Sequence, residues 1–116
     1  MLVVDDEEMV RRMAKIALER SGFTVLTAED GRQAVARYRD AADRIAAVLL
    51  DLSMPDLAGE EVYRELRRIR SDVKVIFSSG YDARQAGDPL FAGAAFLHKP
   101  YRPQELVARV KEALEE

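Results

Sequence analysis

Ile45-Ala46-Ala47-Val48-Leu49-Leu50-Asp51 is a run of six apolar residues that ends on a carboxylate. Residues 45–50 show no apolar/polar alternation, which marks a strand covered on both faces and therefore central in a parallel sheet. The same pattern, an apolar run closed by a polar group, occurs twice more. Leu2-Val3-Val4 leads into Asp5-Asp6, and Ala94-Ala95-Phe96-Leu97 leads, past His98, into Lys99-Pro100. Two further runs, residues 23–27 and 73–78, read as strands, the latter leaving through Ser79-Gly80.

The segments between these strands carry helical periodicity. Residues 7–20 place Val10, Met13, Ala14, Ala17 and Leu18 on one face before Ser21-Gly22 ends the helix. Asp30 is positioned to cap a second helix that turns Ala34, Val35 and Tyr38 inward and gives way around residues 40–43. A third helix over residues 59–70 buries Val62, Tyr63, Leu66 and Ile69. The last opens with Pro103 in its first turn and places Leu106, Val107, Val110, Ala113 and Leu114 on one face. Between the fourth and fifth strands, Gly87 and Pro89 interrupt any helix over residues 81–93, so a short or irregular fourth helix is expected there. Strands alternating with helices predict an α/β fold: a doubly wound parallel sheet joined by right-handed crossovers, with helices on both faces.

Composition narrows the function classes. The 116 residues fit one domain, residues 1–116, without repeats or linkers. Eighteen Lys and Arg against 21 Asp and Glu give a net charge of −3, which argues against a nucleic-acid or anionic-membrane surface. With no cysteine, disulfides, thiolate metal sites and cysteine nucleophiles are excluded. There is no apolar stretch of membrane-spanning length, and acidic residues at position 5 argue against a signal peptide, so a cytoplasmic setting is expected. In open parallel sheets, ligands bind beyond the carboxyl ends of the strands, which is where Asp5, Asp6, Asp51, Ser79 and Lys99 all fall.

Taken in order, Leu2-Val3-Val4-Asp5-Asp6-Glu7, Leu50-Asp51-Leu52-Ser53-Met54-Pro55, Phe77-Ser78-Ser79-Gly80-Tyr81 and Phe96-Leu97-His98-Lys99-Pro100 resemble the receiver domain of two-component response regulators. The wording around Asp51 and Ser79-Gly80-Tyr81 most resembles receivers attached to hybrid sensor histidine kinases. The resemblance covers essentially the whole chain and implies a five-stranded, flavodoxin-like sheet of order 2-1-3-4-5. It implies a phosphorylation switch rather than an enzyme. A histidine kinase or histidine phosphotransfer protein is the expected phosphoryl donor, and the output partner is not named by the sequence.

The resemblance also assigns roles. Asp51 is the phosphoacceptor. Asp6 and Asp51 ligate Mg²⁺ directly, Asp5 largely through water, and the Ser53 backbone carbonyl completes the protein share. Such an all-oxygen set suits Mg²⁺, with Mn²⁺ able to substitute. Lys99 meets the phosphoryl group, a cis peptide at Pro100 aims its ammonium, and Ser79 binds a phosphoryl oxygen. Phe96 stands at the family's aromatic switch position, although a plain sheet aromatic accounts for it as well. Met9, Met13 and Ile16 form a second apolar stripe on the first helix, the helix with which the family meets kinases or phosphotransfer proteins. A helix buried more widely than usual is the competing reading of that stripe. Tyr81, beside the site, is expected to slow water attack on the aspartyl phosphate.

Ordinary roles compete with several of these. Asp5 and Asp6 suit the first turn of a helix, Lys99 alone is a solvated lysine, and His98 has no assigned role. Arg64, Arg67, Arg68 and Arg70 interleave with Glu60, Glu61 and Glu65, as on a solvated helix face. A receiver-like docking module that is never phosphorylated has no need of the full Asp5, Asp6, Asp51, Ser79 and Lys99 set. A small aspartyl-nucleophile phosphatase needs a second acid two residues after the nucleophile, where Ser53 stands. An output domain that binds DNA is not expected within these residues, and a free-standing receiver and a piece of a hybrid kinase both fit.

Overall fold

The computed structural model describes residues 1–52, 59–80 and 95–115. Strands and helices alternate: β1 (Leu2–Val4), α1 (Glu8–Arg20), β2 (Leu26–Ala28), α2 (Gly31–Ala41), a 3-10 turn (Ala42–Arg44), β3 (Val48–Asp51), α3 (Gly59–Ile69), β4 (Val75–Ser79), β5 (Ala95–His98) and α4 (Pro103–Glu115). The strands form one five-stranded sheet, β2-β1-β3-β4-β5, and every pairing is parallel. Ser53, Tyr81 and the segment expected to hold a short or irregular fourth helix lie outside the described residues.

The unbroken apolar runs have a direct cause. Leu2, Val4, Val48 and Leu50 pack to one side of the sheet with Tyr38 and Leu66, in the layer built by α2 and α3. Val3 and Leu49, the residues between them, pack to the other side with Leu18, Leu106 and Val110 of α1 and α4. Both faces are dry, so every position along β1, and along β3 up to Asp51 at its carboxyl end, is apolar. Each such side chain contributes about 1.5–3 kcal/mol when fully buried.

Local signals set where the helices begin and end. The Asp30 carboxylate accepts the Gln33 N–H at 2.8 Å and caps α2. At the start of α4, Glu105 accepts the Arg102 N–H at 3.2 Å, one residue before Pro103. At the end of α1, Gly22 adopts φ +95°, while its N–H bonds Glu19 O and the Phe23 N–H bonds Leu18 O. This Schellman closure explains why β2 begins at Leu26 rather than at the expected residue 23. Phe23 serves as the apolar residue beyond the cap, in the same core layer as Leu18, instead of joining the ladder.

Candidate functional site

Register assembles the site. Val4 pairs with Leu50, so Asp5, just past the end of β1, and Asp51, the last residue of β3, leave the sheet side by side. Asp51 pairs with Ser78 of β4, and Ser79 pairs with His98 of β5. Lys99 follows His98, and its N–H donates to the Ser79 carbonyl at 2.8 Å. The turn is thereby closed beside the carboxylates.

Asp5 and Asp51 are buried, at 2% and 1% exposure, whereas the neighbouring Asp6 is exposed. Carboxylate oxygens of Asp5, Asp6 and Asp51 lie within 4.8 Å of one another. The Lys99 Nζ donates into this group, 2.7 Å from Asp5 Oδ2 and 3.2 Å from Asp51 Oδ2, with Glu7 at 4.0 Å. The other Asp5 oxygen accepts the Glu7 N–H at 2.9 Å, immediately before α1, and the Asp5 carbonyl accepts from Arg11 Nη1 at 2.8 Å. Asp5 therefore tethers the start of α1 while also facing the site.

The electrostatics follow from burial and crowding. Burial pushes the Asp5 carboxyl above its ordinary range, with the Asp51 charge adding to the rise and the Lys99 hydrogen bond opposing it. Burial pulls the Lys99 ammonium down, but the hydrogen bond and charge of Asp5, together with Asp51, outweigh it and hold the lysine more firmly protonated. One half-buried cation thus faces more negative charge than it neutralises. A set of converging carboxylate oxygens with excess negative charge fits a hard, oxygen-preferring divalent cation.

The remaining expected residues are distributed around this centre. Ser79 is buried at the end of β4, and Lys99–Pro100 is a cis peptide. Phe96 is half-buried on β5, its ring 5.5 Å from that of Phe77, which in turn meets Tyr63 edge-on at 5.2 Å. Met9 is 85% exposed and Ile16 45%, so α1 does not bury its second stripe within the described residues; Met13 is half-buried. On α3, Arg68 pairs with Glu65 as read, and Arg70, just beyond the helix, binds Asp72 at 2.9 Å.

Two residues near the site carried no role in the sequence reading. Glu7 reaches toward Lys99 from the turn before α1. Tyr101, two residues beyond Lys99, is buried at 8% exposure, and its hydroxyl has no hydrogen-bond partner among the described residues. The only sequence signal for it was a hydroxylated aromatic two residues after a site lysine, and periodicity does not distinguish that from a plain core ring.

The comparisons with known proteins agree with this geometry. The model of the response regulator receiver domain matches residues 1–111. The chain is 38% identical to the sensor kinase CckA of Brucella abortus over 98% of its own length and 12% of that protein's. It is 41% identical to the response regulator MprA of Mycolicibacterium vanbaalenii over 97% of its length and 49% of that protein's. The chain thus spans half or less of each of these two relatives. Among solved structures, the response regulator TrrA of Thermotoga maritima, in complex with Mg²⁺ and BeF, superposes with a TM-score of 0.83 at 32% identity, covering 97% of this chain and 96% of that one. With the site at the strand exits, the sheet order and these matches in agreement, the chain belongs to the receiver domains of two-component response regulators.

Proposed function

We propose that residues 1–116 form one receiver unit that takes a phosphoryl group onto Asp51 from a phosphohistidine of a histidine kinase or phosphotransfer protein. The observation that carries this reading is the pair of buried carboxylates, Asp5 and Asp51, bridged by Lys99 with Asp6 alongside. In the transfer, an Asp51 carboxylate oxygen bonds to phosphorus as the P–N bond to the donor imidazole breaks, and the released imidazole takes a proton from water. The product is an aspartyl phosphate.

Asp6, Asp51, Asp5 through water and the Ser53 backbone carbonyl would hold Mg²⁺, or Mn²⁺ in its place. When bound, the cation supplies charge neutralisation for the carboxylates and the incoming phosphoryl oxygens. Lys99 contributes a second positive group, already oriented between Asp5 and Asp51. The phosphoryl group carries about two negative charges in place of the carboxylate's one, and Ser79 and Lys99 turn toward it. The change passes along β4 and β5, where Phe96 rests against Phe77 and is the candidate aromatic switch. The exposed Met9 and Ile16, with Met13, offer the donor protein an adaptable apolar face. No described helix is long and apolar enough to cross a membrane, which is compatible with a cytoplasmic setting.

Incubation with acetyl phosphate, with and without Mg²⁺, followed by intact-mass measurement tests the assignment. A single phosphoryl adduct that requires Mg²⁺ and disappears in Asp51→Asn is the expected result. An adduct that persists in that variant overturns it.

A further inference from the structure

Asp6 is the exposed member of the carboxylate trio, so packing does not fix where its side chain points. Its aim depends instead on the two peptide units that flank it. The unit after it is held through the Glu7 N–H, which donates to Asp5 Oδ1 at 2.9 Å. The unit before it carries the Asp5 carbonyl, and Arg11 Nη1 donates to that oxygen at 2.8 Å. A peptide unit is planar, so fixing its carbonyl also fixes the start of the Asp6 backbone.

Arg11 is itself held in place. It lies near the amino end of α1, where the helix dipole disfavours a cation, yet its side chain is only 17% exposed. Its other arm, Nη2, lies 3.9 Å from Glu29 Oε2, just past β2. Glu29 is anchored in turn by Gln33 of α2, whose amide donates to Glu29 Oε1 and accepts the Glu29 N–H, each at 3.2 Å. The guanidinium is a rigid planar fork, so engaging both arms leaves it little freedom. A chain of polar contacts therefore runs from α2 through Glu29 and Arg11 to the backbone between Asp5 and Asp6.

Resting on the cation reading of this site, we infer that Arg11 is a positioning residue for the divalent cation: through the Asp5 carbonyl it keeps the Asp6 carboxylate turned toward Asp5 and Asp51. It touches backbone rather than the cation, as the outer partners of metal ligands do. Two effects of the guanidinium on cation binding oppose each other. Its positive charge disfavours a second cation nearby, so on charge alone its removal tightens binding. Its hold on the backbone preorganises Asp6, so its removal weakens binding. Preorganisation wins, because the guanidinium already shares its charge with Glu29.

Titration of the whole chain with Mn²⁺, counting the free ion by its paramagnetic resonance signal, measures cation affinity without any phosphorylation. Sucrose in the buffer keeps the folded state populated if a substitution weakens it. Arg11→Met removes the fork and its charge while keeping an unbranched stem, and the dissociation constant rises about tenfold. Arg11→Lys restores the charge and a donor, and it returns the constant to within about threefold of wild type. An Arg11→Met constant within about twofold of wild type, or below it, overturns the inference. That is the outcome if Arg11 only anchors α1, since such a role changes stability in EDTA but not the affinity of the folded chain. An Arg11→Lys chain that binds no better than Arg11→Met overturns it too, because the lost property is then not a donor to the Asp5 carbonyl. A wild-type chain that takes up no Mn²⁺ overturns the cation reading itself, and this inference with it.

Discussion

Replacing Lys99 with methionine removes the ammonium while keeping most of the stem, and the structure sets the size of the effect. The Nζ lies 2.7 Å from Asp5 Oδ2 and 3.2 Å from Asp51 Oδ2, and both carboxylates are nearly inaccessible to water. An exposed ion pair would be worth about 0–1 kcal/mol. Removing one partner of a buried pair typically costs about 3–5 kcal/mol, because the remaining charge is left without compensation. Here two carboxylates lose their shared cation, but proton uptake limits the loss, so we expect about 3 kcal/mol at pH 7.5 in EDTA. For a chain of this size that lowers Tm by roughly 10 °C.

The pH dependence of the deficit has a definite sign. Burial already raises the Asp5 carboxyl in the folded state, and Lys99→Met removes the interactions with Lys99 that oppose the rise. A carboxyl whose folded pKa lies above its unfolded one gains stability as pH falls through the folded value. The gap between variant and wild type therefore narrows from pH 8 toward pH 5. Urea unfolding followed by far-UV circular dichroism at several pH values measures it. A Lys99→Met chain as stable as wild type in EDTA at pH 7.5, or a gap independent of pH, refutes the argument that Lys99 compensates two buried charges.

Other substitutions probe separate parts of the account. Asp51→Asn removes one of the carboxylates crowding Lys99, so in EDTA its Tm equals or exceeds that of wild type, whereas Mg²⁺ raises it less than it raises wild type. Met9→Glu changes an exposed side chain and shifts stability by no more than about 0.5 kcal/mol. The same change slows phosphoryl transfer from a cognate kinase or phosphotransfer protein and leaves labelling by acetyl phosphate intact, which a comparison of the two donors reads out. Gly22→Ala meets no atom within 4 Å but must adopt φ +95°, and it lowers unfolding stability by about 1–2 kcal/mol in urea titrations.

Much of this site is legible in the sequence, because strand exits are visible as polar residues after apolar runs. Asp5, Asp51 and Lys99 needed only the strand register to meet, and the register follows from central strands whose two faces are both buried. What one dimension does not carry is the inequality between neighbours. Asp5 and Asp6 read alike in sequence, yet Asp5 is buried and Asp6 exposed, because successive residues leaving β1 point to different surroundings. Phe23 read as strand because it is apolar, but Gly22 turns the chain so that the ring closes the end of α1. The Tyr101 hydroxyl was missed because a donor without a partner is a property of packing, and any sequence pattern that places the ring in the core places the oxygen equally well.

The central claim is that Asp51, and no neighbouring carboxylate or hydroxyl, takes the phosphoryl group. Borohydride reduction converts an aspartyl phosphate to homoserine, so treating the acetyl-phosphate-labelled chain and mapping its peptides by mass spectrometry locates the modified residue. The account predicts homoserine at position 51 alone, formed only when Mg²⁺ was present during labelling. Homoserine at position 5 or 6, or a phosphoryl group that resists borohydride on Ser79 or His98, would contradict it.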